Sequence, residues 1–322
     1  MDPNYLDFEQ PIAELEAKIS ELRLVGSDNE LNITEEIQNL KDKSTKLTEK
    51  IYSNLSSWQI SQVARHPLRP YTLDYIQHLA PDFIELHGDR HFSDDTAIIA
   101  GIGHIGEQKV AILGQQKGRN TKENLYRNFG MMRPDGYRKA MRIMKLAEKF
   151  NIPIISLIDT PGAYPGLGAE ERGQGEAIAK NLSGMSALRV PIISIVIGEG
   201  ASGGALGIGV CDRMIMLENT WYSVISPEGC ASILFRDASK APDAAEALKV
   251  IPNDLKEIGI CDRIVEEVNG GAHRDFKSTA NILKKVIHEE LDALNDISPE
   301  SFLDNRIEKY DKLGYFETET EA

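Results

Sequence analysis

Between Val190 and Val210 the chain reads VPIISIVIGEGASGGALGIGV, and the second half of that stretch has the residue types to do chemistry. Gly198, Gly200, Gly203, Gly204, Gly207 and Gly209 are separated only by Glu199 and small or aliphatic residues. Glycines let a backbone turn sharply and leave its N–H groups open to close approach. A helix starting near Ser202 puts Gly203, Gly204 and Ala205 in its first turn. First-turn N–H groups have no acceptor inside the helix and sit at its positive end. Donors fixed in that way suit an oxygen that gains negative charge during a reaction.

Two other patterns overlap the stretch. Gly198-Glu-Gly200-Ala-Ser-Gly203 has the G-x-G-x-x-G spacing of a dinucleotide site, and Glu218 follows about twenty residues on. The next strand, Arg213 to Leu217, begins too soon for the crossover helix such a site needs. Gly200-Ala-Ser202-Gly-Gly204 matches the G-x-S-x-G nucleophile elbow. A serine nucleophile requires a histidine and an acid brought close by the fold, and His273 lies in a polar Gly-rich loop with nothing to single it out. Ser202 is therefore expected to be a small helix-capping residue.

The elements that position these residues follow. The apolar, β-branched half of the stretch suits a strand buried on both faces of a parallel sheet. It has a counterpart, because Pro153-Ile-Ile-Ser156 recurs 38 residues later as Pro191-Ile-Ile-Ser194. The earlier copy opens into Asp159-Thr-Pro-Gly162-Ala-Tyr-Pro165-Gly166-Leu-Gly168. Repeated strand, Gly-rich loop and helix predict a layered α/β body with its loops gathered on one side. Asp159-Thr-Pro-Gly162 also has the D-x-x-G spacing of a GTPase switch, but the accompanying P-loop needs a Gly-Lys pair and the chain has none.

Ile12, Leu15, Ile19 and Leu22, then Ile37, Leu40, Leu47 and Ile51, recur at helical spacing on either side of a polar break at Gly26 to Glu30. They predict a helical hairpin whose narrow apolar stripe either packs on the body, grips another chain or stands as a solvated arm. Pro67 and Pro70 place a domain boundary there, giving an arm over 1–66 and a body over 67–322. A helix over 72–79, strands over 97–105 and 110–115, and helices over 134–150, 169–188, 242–248 and 280–295 are expected, with short strands over 214–217 and 222–225. Ser226-Pro227-Glu228-Gly229 starts a further helix. The acidic tail from Glu317 to Glu321 is expected to be mobile. Lys117 to Lys149 holds ten Lys or Arg against three acids, a local charge of +7 in a chain whose net charge is −14. Such a patch suits a polyanion, or else is a solvated helix face; Lys117-Gly-Arg119, at the end of a strand, fits the solvated face less well.

The net acidity argues against a general nucleic-acid binder. No apolar run reaches membrane-spanning length, and the first residues lack the features of a signal peptide. Cys211, Cys230 and Cys261 are too far apart for a metal clip and are expected to be reduced and buried in a cytoplasmic protein.

Taken together, Asp159-Thr-Pro-Gly-Ala-Tyr-Pro-Gly, Ile197-Gly-Glu-Gly-Ala-Ser-Gly-Gly-Ala and Ser223-Val-Ile-Ser-Pro-Glu-Gly-Cys-Ala-Ser-Ile-Leu resemble the carboxyltransferase α subunits of bacterial multi-subunit acetyl-CoA carboxylases. The resemblance runs nearly end to end; the linker from Gly26 to Asn32 matches poorly, and Gln115 stands where that family is expected to carry histidine. It implies a crotonase-like fold of repeated ββα units. It implies transfer of a carboxyl group from carboxybiotin, on a biotin carboxyl carrier protein, to acetyl-CoA, giving malonyl-CoA for fatty-acid synthesis in an overall ATP-dependent reaction. It implies a zinc-bearing β subunit, a biotin carboxylase and an α2β2 core, with no metal in this chain. By the same resemblance Gly203, Gly204 and Ala205 are the donors to the biotin carbonyl, and Gly162 and Ala163 form the loop facing them. Lys117, Arg119, Gly166, Ser226, Pro227 and Glu228 are the expected cofactor-binding positions. A non-catalytic scaffold that only orders β, and a carboxyltransferase or decarboxylase for another acyl-CoA, remain as alternatives at this point.

Overall fold

The computed structural model describes residues 5–25 and 30–314. The expected acidic tail and most of the 26–32 linker lie outside them. One mixed sheet organises the body, with eight strands among the described residues. These are β1 (Ile84–Glu85), β2 (Ile98–Ile105), β3 (Gln108–Gln115), β4 (Ile154–Thr160), β5 (Ile192–Ala201), β6 (Arg213–Leu217), β7 (Trp221–Ser223) and β8 (Arg263–Val265). Their order is β1-β2-β3-β4-β5-β6-β8, and β7 pairs with the far end of β5. β2 pairs antiparallel with both β1 and β3, and pairing is parallel from β3 onward.

Both faces of the sheet are covered, so neighbouring residues on a strand enter different cores. Ile154, Ile158, Ile192 and Val196 pack with Tyr137, Met144 and Met185 of the helices Pro134–Lys149 and Gln174–Ala187. Ile155, Leu157, Ile193 and Ile195 pack with Tyr75 and Leu79 of Thr72–Leu79 and with Leu283 and Ile287 of Phe276–Asn295. The repeated Pro-Ile-Ile-Ser segments are laid side by side, with Ile154 opposite Ile192 and Ser156 opposite Ser194. Ser156 donates to the Ile208 carbonyl at 2.6 Å, which accounts for a hydroxyl in the middle of an apolar strand.

Several boundaries differ from the sequence reading. The helix expected over 169–188 is two, Leu167–Glu170 and Gln174–Ala187, because Gly173 takes a left-handed φ of 79° between them. The strand expected over 222–225 stops at Ser223, and a helix from Pro299 to Asp311 had no strong periodic signal. That helix sends Arg306 into the body, where it pairs with Asp212 and donates to the carbonyls of Met185, Leu188 and Val190. All three cysteines are buried and unpaired. No helix among the described residues is long and apolar enough to cross a membrane.

The arm is a hairpin of Gln10–Val25 and Glu30–Tyr52. Ile12 and Ile19 are buried, while Ile37, Leu40, Leu47 and Ile51 stay half-covered. The helix Ser57–Ala64, on the arm side of a boundary drawn at residue 66, packs on the body, where Ala64 clusters with Ala201 and Trp221. On the body side of that boundary Arg69, between Pro67 and Pro70, is buried, donates to the Ile197 carbonyl at 2.7 Å and pairs with Glu267. The hairpin's foot is fixed by Glu9, which accepts from Tyr52 Oη at 2.7 Å and from Leu6 N–H at 2.8 Å. His66 and His273 stack at 4.0 Å beside it.

Burial works against the Glu9 charge, yet the nearby His273 imidazole and the bonds from Leu6 and Tyr52 win and bring its pKa from 4.5 down to about 2. A carboxyl held low stabilises the fold above its unfolded pKa and stops doing so as pH falls through its folded one. Glu9→Gln should therefore cost about 1–3 kcal/mol at pH 7. The difference from the parent should be full above about pH 4.5 and shrink as pH falls toward 2. Urea unfolding at several pH values checks this; a difference that stays constant from pH 7 to pH 3 would refute it.

Candidate active site

β4 and β5 are parallel neighbours, so the loops that follow them leave the same end of the sheet. Ligands of open α/β sheets bind at such carboxyl ends. Pairing is regular to Ile158–Val196 and then slips, so that Thr160 faces Gly200. Two extra residues on β5, Gly198 and Glu199, are thereby lifted over Asp159. A side chain at Gly198 would lie 2.4 Å from Asp159 Oδ1, and Glu199 N–H donates to that oxygen at 3.2 Å. The bulge is thus built around one carboxylate.

The two glycine loops meet. The helix Ser202–Leu206 directly continues β5 and includes Gly203, Gly204 and Ala205. A Cβ on Gly204 would sit 2.3 Å from the Gly162 carbonyl carbon and 2.5 Å from Ala163 N. The glycine that looked reserved for an incoming ligand is instead required by the chain's own loop. Gly162 has a φ of 147°, and its N–H donates to Thr160 Oγ1 at 3.2 Å. Thr160 Oγ1 in turn donates to Gly130 and Gly162 carbonyls, both at 2.8 Å. The arrangement presents backbone from two strands, locked at contact distance, with first-turn N–H groups at the junction.

Ser202 does not cap this helix. Ala201 holds the cap position without a side-chain bond, and Ser202 itself has a left-handed φ of 50°. That conformation is uncommon outside glycine and resembles a nucleophile elbow. The histidine weighed as its partner, His273, is committed elsewhere, stacked on His66 against Glu9 at the foot of the arm.

Beneath the loops runs a chain of charges that sequence reasoning missed. Lys117 Nζ lies 2.7 Å from both Asp159 Oδ1 and Glu199 Oε1. Arg65 Nε lies 2.7 Å from the other oxygen of Glu199 and reaches Glu228 with its NH1. Asp159, Glu199 and Glu228 belong to the three sequence motifs, so each motif contributes one carboxylate to a single chain of cations and anions. Burial alone would lower the Lys117 pKa, but the two carboxylates raise it well above the ordinary lysine value. Burial pushes Asp159 up, with the Glu199 charge adding to it, while Lys117 and Arg65 overcome burial at Glu199 and hold it down. The only advance signal was the Lys117-Gly-Arg119 triplet ending a strand.

Lys117 is therefore committed to carboxylates rather than to a phosphate. Arg119 stacks on Tyr71 at 4.1 Å, pairs with Asp74 and donates to the Arg69 carbonyl at 2.7 Å. Other members of the basic run also turn inward, while Lys145 and Lys149 stay on the exposed face of the helix Pro134–Lys149, as the solvated-face reading expects. Lys139 is buried and holds Glu85, Asp94 and the Ile98 carbonyl. Arg138 pairs with Asp89 and Asp135, and Arg142 donates to the carbonyls of Leu86, His87 and Gly88. Gly166 lies under the Tyr164 ring, where a Cβ would come within 2.4 Å. Ser226 caps the helix Pro227–Leu234 by accepting from Gly229 N–H at 3.1 Å, and Glu228 is the end of the ion chain.

The mixed sheet with its two facing backbone loops is a crotonase-like fold, and solved structures agree on it. The chain matches the 12S transcarboxylase with bound methylmalonyl-coenzyme A at a TM-score of 0.52, with 20% identity over 65% of this chain and 40% of that one. It matches a Pseudomonas malonate decarboxylase hetero-tetramer in complex with coenzyme A at 0.57, with 16% identity over 72% of this chain and 90% of that one. Residues 5–314 match the model of the family described as acetyl co-enzyme A carboxylase carboxyltransferase-like, and the chain belongs to that family. It is 57% identical to the acetyl-coenzyme A carboxylase carboxyl transferase subunit alpha of Azotobacter vinelandii over 98% of this chain and 99% of the relative. It is 58% identical to the protein of the same name from Pseudomonas fluorescens over 98% of this chain and all of the relative.

The ion chain makes a sharp expectation. Removing the cation between two buried carboxylates leaves uncompensated charge, which costs about 3–5 kcal/mol. Lys117→Met should lose stability of that order in chemical denaturation, whereas an exposed lysine such as Lys180, with its single helix ion pair, should lose well under about 1 kcal/mol. A Lys117→Met chain as stable as the parent would show that the chain of charges is idle.

Proposed function

We propose that this chain is the α subunit of a carboxyltransferase that moves the carboxyl group of carboxybiotin, presented on a carrier protein, to acetyl-CoA, forming malonyl-CoA. The observation that carries the reading is the first turn at Gly203–Ala205 locked against Gly162–Ala163. Releasing a carboxylate from a ureido nitrogen and removing a proton from an acetyl thioester both put negative charge on a carbonyl oxygen. Fixed backbone donors aimed at such an oxygen are worth about 3–4 kcal/mol each. We assign the N–H groups of Gly203, Gly204 and Ala205 to the biotin carbonyl and the Gly162–Ala163 backbone to the opposite side of the site. Ser202 is assigned no covalent role. The chemistry needs donors held in place more than it needs a charged side chain, and Arg65, Lys117, Asp159 and Glu199 beneath the loops are paired with one another.

This chain supplies one half of the site in our reading, and a zinc-bearing β subunit supplies most of the acyl-CoA half. Lys117 and Arg119 serve the scaffold of their own chain, which leaves the CoA phosphates to the partner. Exposed Val224, Ile233 and Leu234 of the third motif, with Phe235 just after it, form the kind of apolar surface that a partner covers. The half-covered stripe of the arm hairpin is a second docking surface. The carrier protein, a biotin carboxylase and an α2β2 core in the cytoplasm complete the proposed setting.

Reconstitution tests this directly. The chain alone should form no malonyl-CoA from carboxybiotin and acetyl-CoA at any concentration, and addition of β should establish the activity. A chain lacking residues 1–54 should stay folded but no longer co-elute with β. Malonyl-CoA production by the chain alone, or β retained by the trimmed chain, would contradict the assigned division of labour.

A further inference from the structure

The two glycine loops hang from different strands, and one side chain touches both. Gln115 is the last residue of β3 and is fully buried. Its Oε1 accepts the Asp159 N–H at 3.0 Å, at the root of the first loop. Its Nε2 donates to the Gly204 carbonyl at 3.0 Å, in the first turn of the second. One neighbour is an N–H and the other a C=O, so the orientation of the amide is dictated by its partners.

The bond to Gly204 also acts on the next residue. The peptide unit is planar, with its C=O and the following N–H pointing in opposite directions. Fixing the Gly204 carbonyl therefore fixes the direction of the Ala205 N–H, one of the assigned donors. We propose that Gln115 is a positioning residue of the transfer site, setting the spacing of the two loops and the aim of the Ala205 N–H. The proposal rests on the reading of those loops as the site.

The amide works because it is at once donor and acceptor and does not titrate. A neutral imidazole has the same pair of functions, whereas an imidazolium is a donor at both nitrogens and cannot accept the Asp159 N–H. The charged and titratable groups around Asp159 are Lys117, Glu199, Arg69, Tyr71 and Tyr75, and the first three are paired within the chain. A methionine at 115 fills similar volume but leaves a buried N–H and a buried C=O without their partner.

The test uses the full chain reconstituted with β, comparing Gln115→Met and Gln115→His with the parent from pH 5.5 to 8.5. Displacing reacting groups by about 1 Å costs on the order of 100-fold in rate. Gln115→Met should lower kcat about 10- to 100-fold, with KM for acetyl-CoA within about threefold of the parent. Gln115→His should keep activity within about fivefold of the parent at pH 8, and that ratio should fall as pH drops below about 6.5. Amide hydrogen exchange gives a readout that needs no turnover: residues 159–166 and 202–207 should both exchange faster in Gln115→Met and at the parental rate in Gln115→His at pH 8. A parental kcat for Gln115→Met, a His-to-parent ratio flat across pH, or unchanged exchange in both loops would overturn the proposal. So would a Gln115→His chain that does not fold at pH 8; if only Gln115→Met fails to fold, the pH ratio of Gln115→His decides. If the parent complex makes no malonyl-CoA, the functional reading fails while the exchange data still decide the role of Gln115.

Discussion

The contact between Gly204 and the backbone of Gly162 and Ala163 constrains everything around it. Two main chains from neighbouring strands come so close that one added carbon would fall 2.3 Å from a carbonyl carbon. Such an approach brings N–H groups from two elements to one place, and only glycine permits it. The bulge at Gly198–Glu199, the parallel pairing of β4 with β5 and the small residues through Ala205 all serve that approach. The site is thereby made of backbone, which does not titrate and whose donors are fixed before any substrate arrives.

Backbone loops held this tightly need a foundation, and the foundation is electrostatic. Asp159, Lys117, Glu199, Arg65 and Glu228 run beneath the loops as alternating charges. Taking such groups out of water costs several kcal/mol each, and their mutual attraction repays this only with close geometry. The 2.7 Å contacts at Lys117 meet that condition on both sides. Replacing the chain with apolar residues could match its stability, but it would not fix the relative positions of three separate motifs. A second buried pair, Arg69 with Glu267, ties the Ile197 carbonyl just ahead of the bulge to the far side of the body.

Much of this was legible in the sequence. Periodicity located both hairpin helices and the helix from Pro134, and the repeated Pro-Ile-Ile-Ser segments announced two parallel strands with loops at one end. The loops identified by glycine content do face each other. What the sequence could not show was pairing across distance. Lys117 read as a free cation because its partners lie 42 and 82 residues away. His273 read as unexceptional because His66, which it stacks on, belongs to a different segment. Ser202 read as a cap because its residue type favours that role, whereas the tight turn out of β5 imposes a left-handed backbone on it. Gln115 stood out only as a mismatch to the family pattern, and its two bonds to the loops needed the fold to become visible.

The loop-to-loop contact is tested most directly by adding one methyl group at each of two adjacent glycines. At Gly204 the methyl meets backbone, while at Gly203 it meets only the end of the Ile178 side chain, at 3.3 Å. Both substitutions favour a helical backbone equally, so propensity does not separate them. Carboxyl transfer and thermal unfolding of the complexes carrying Gly203→Ala and Gly204→Ala should be measured side by side. Gly203→Ala is expected to keep most of the activity and stability, and Gly204→Ala to lose transfer by about 100-fold or more as the loops are forced apart. Equal activity in the two variants would contradict the claim that this contact shapes the site.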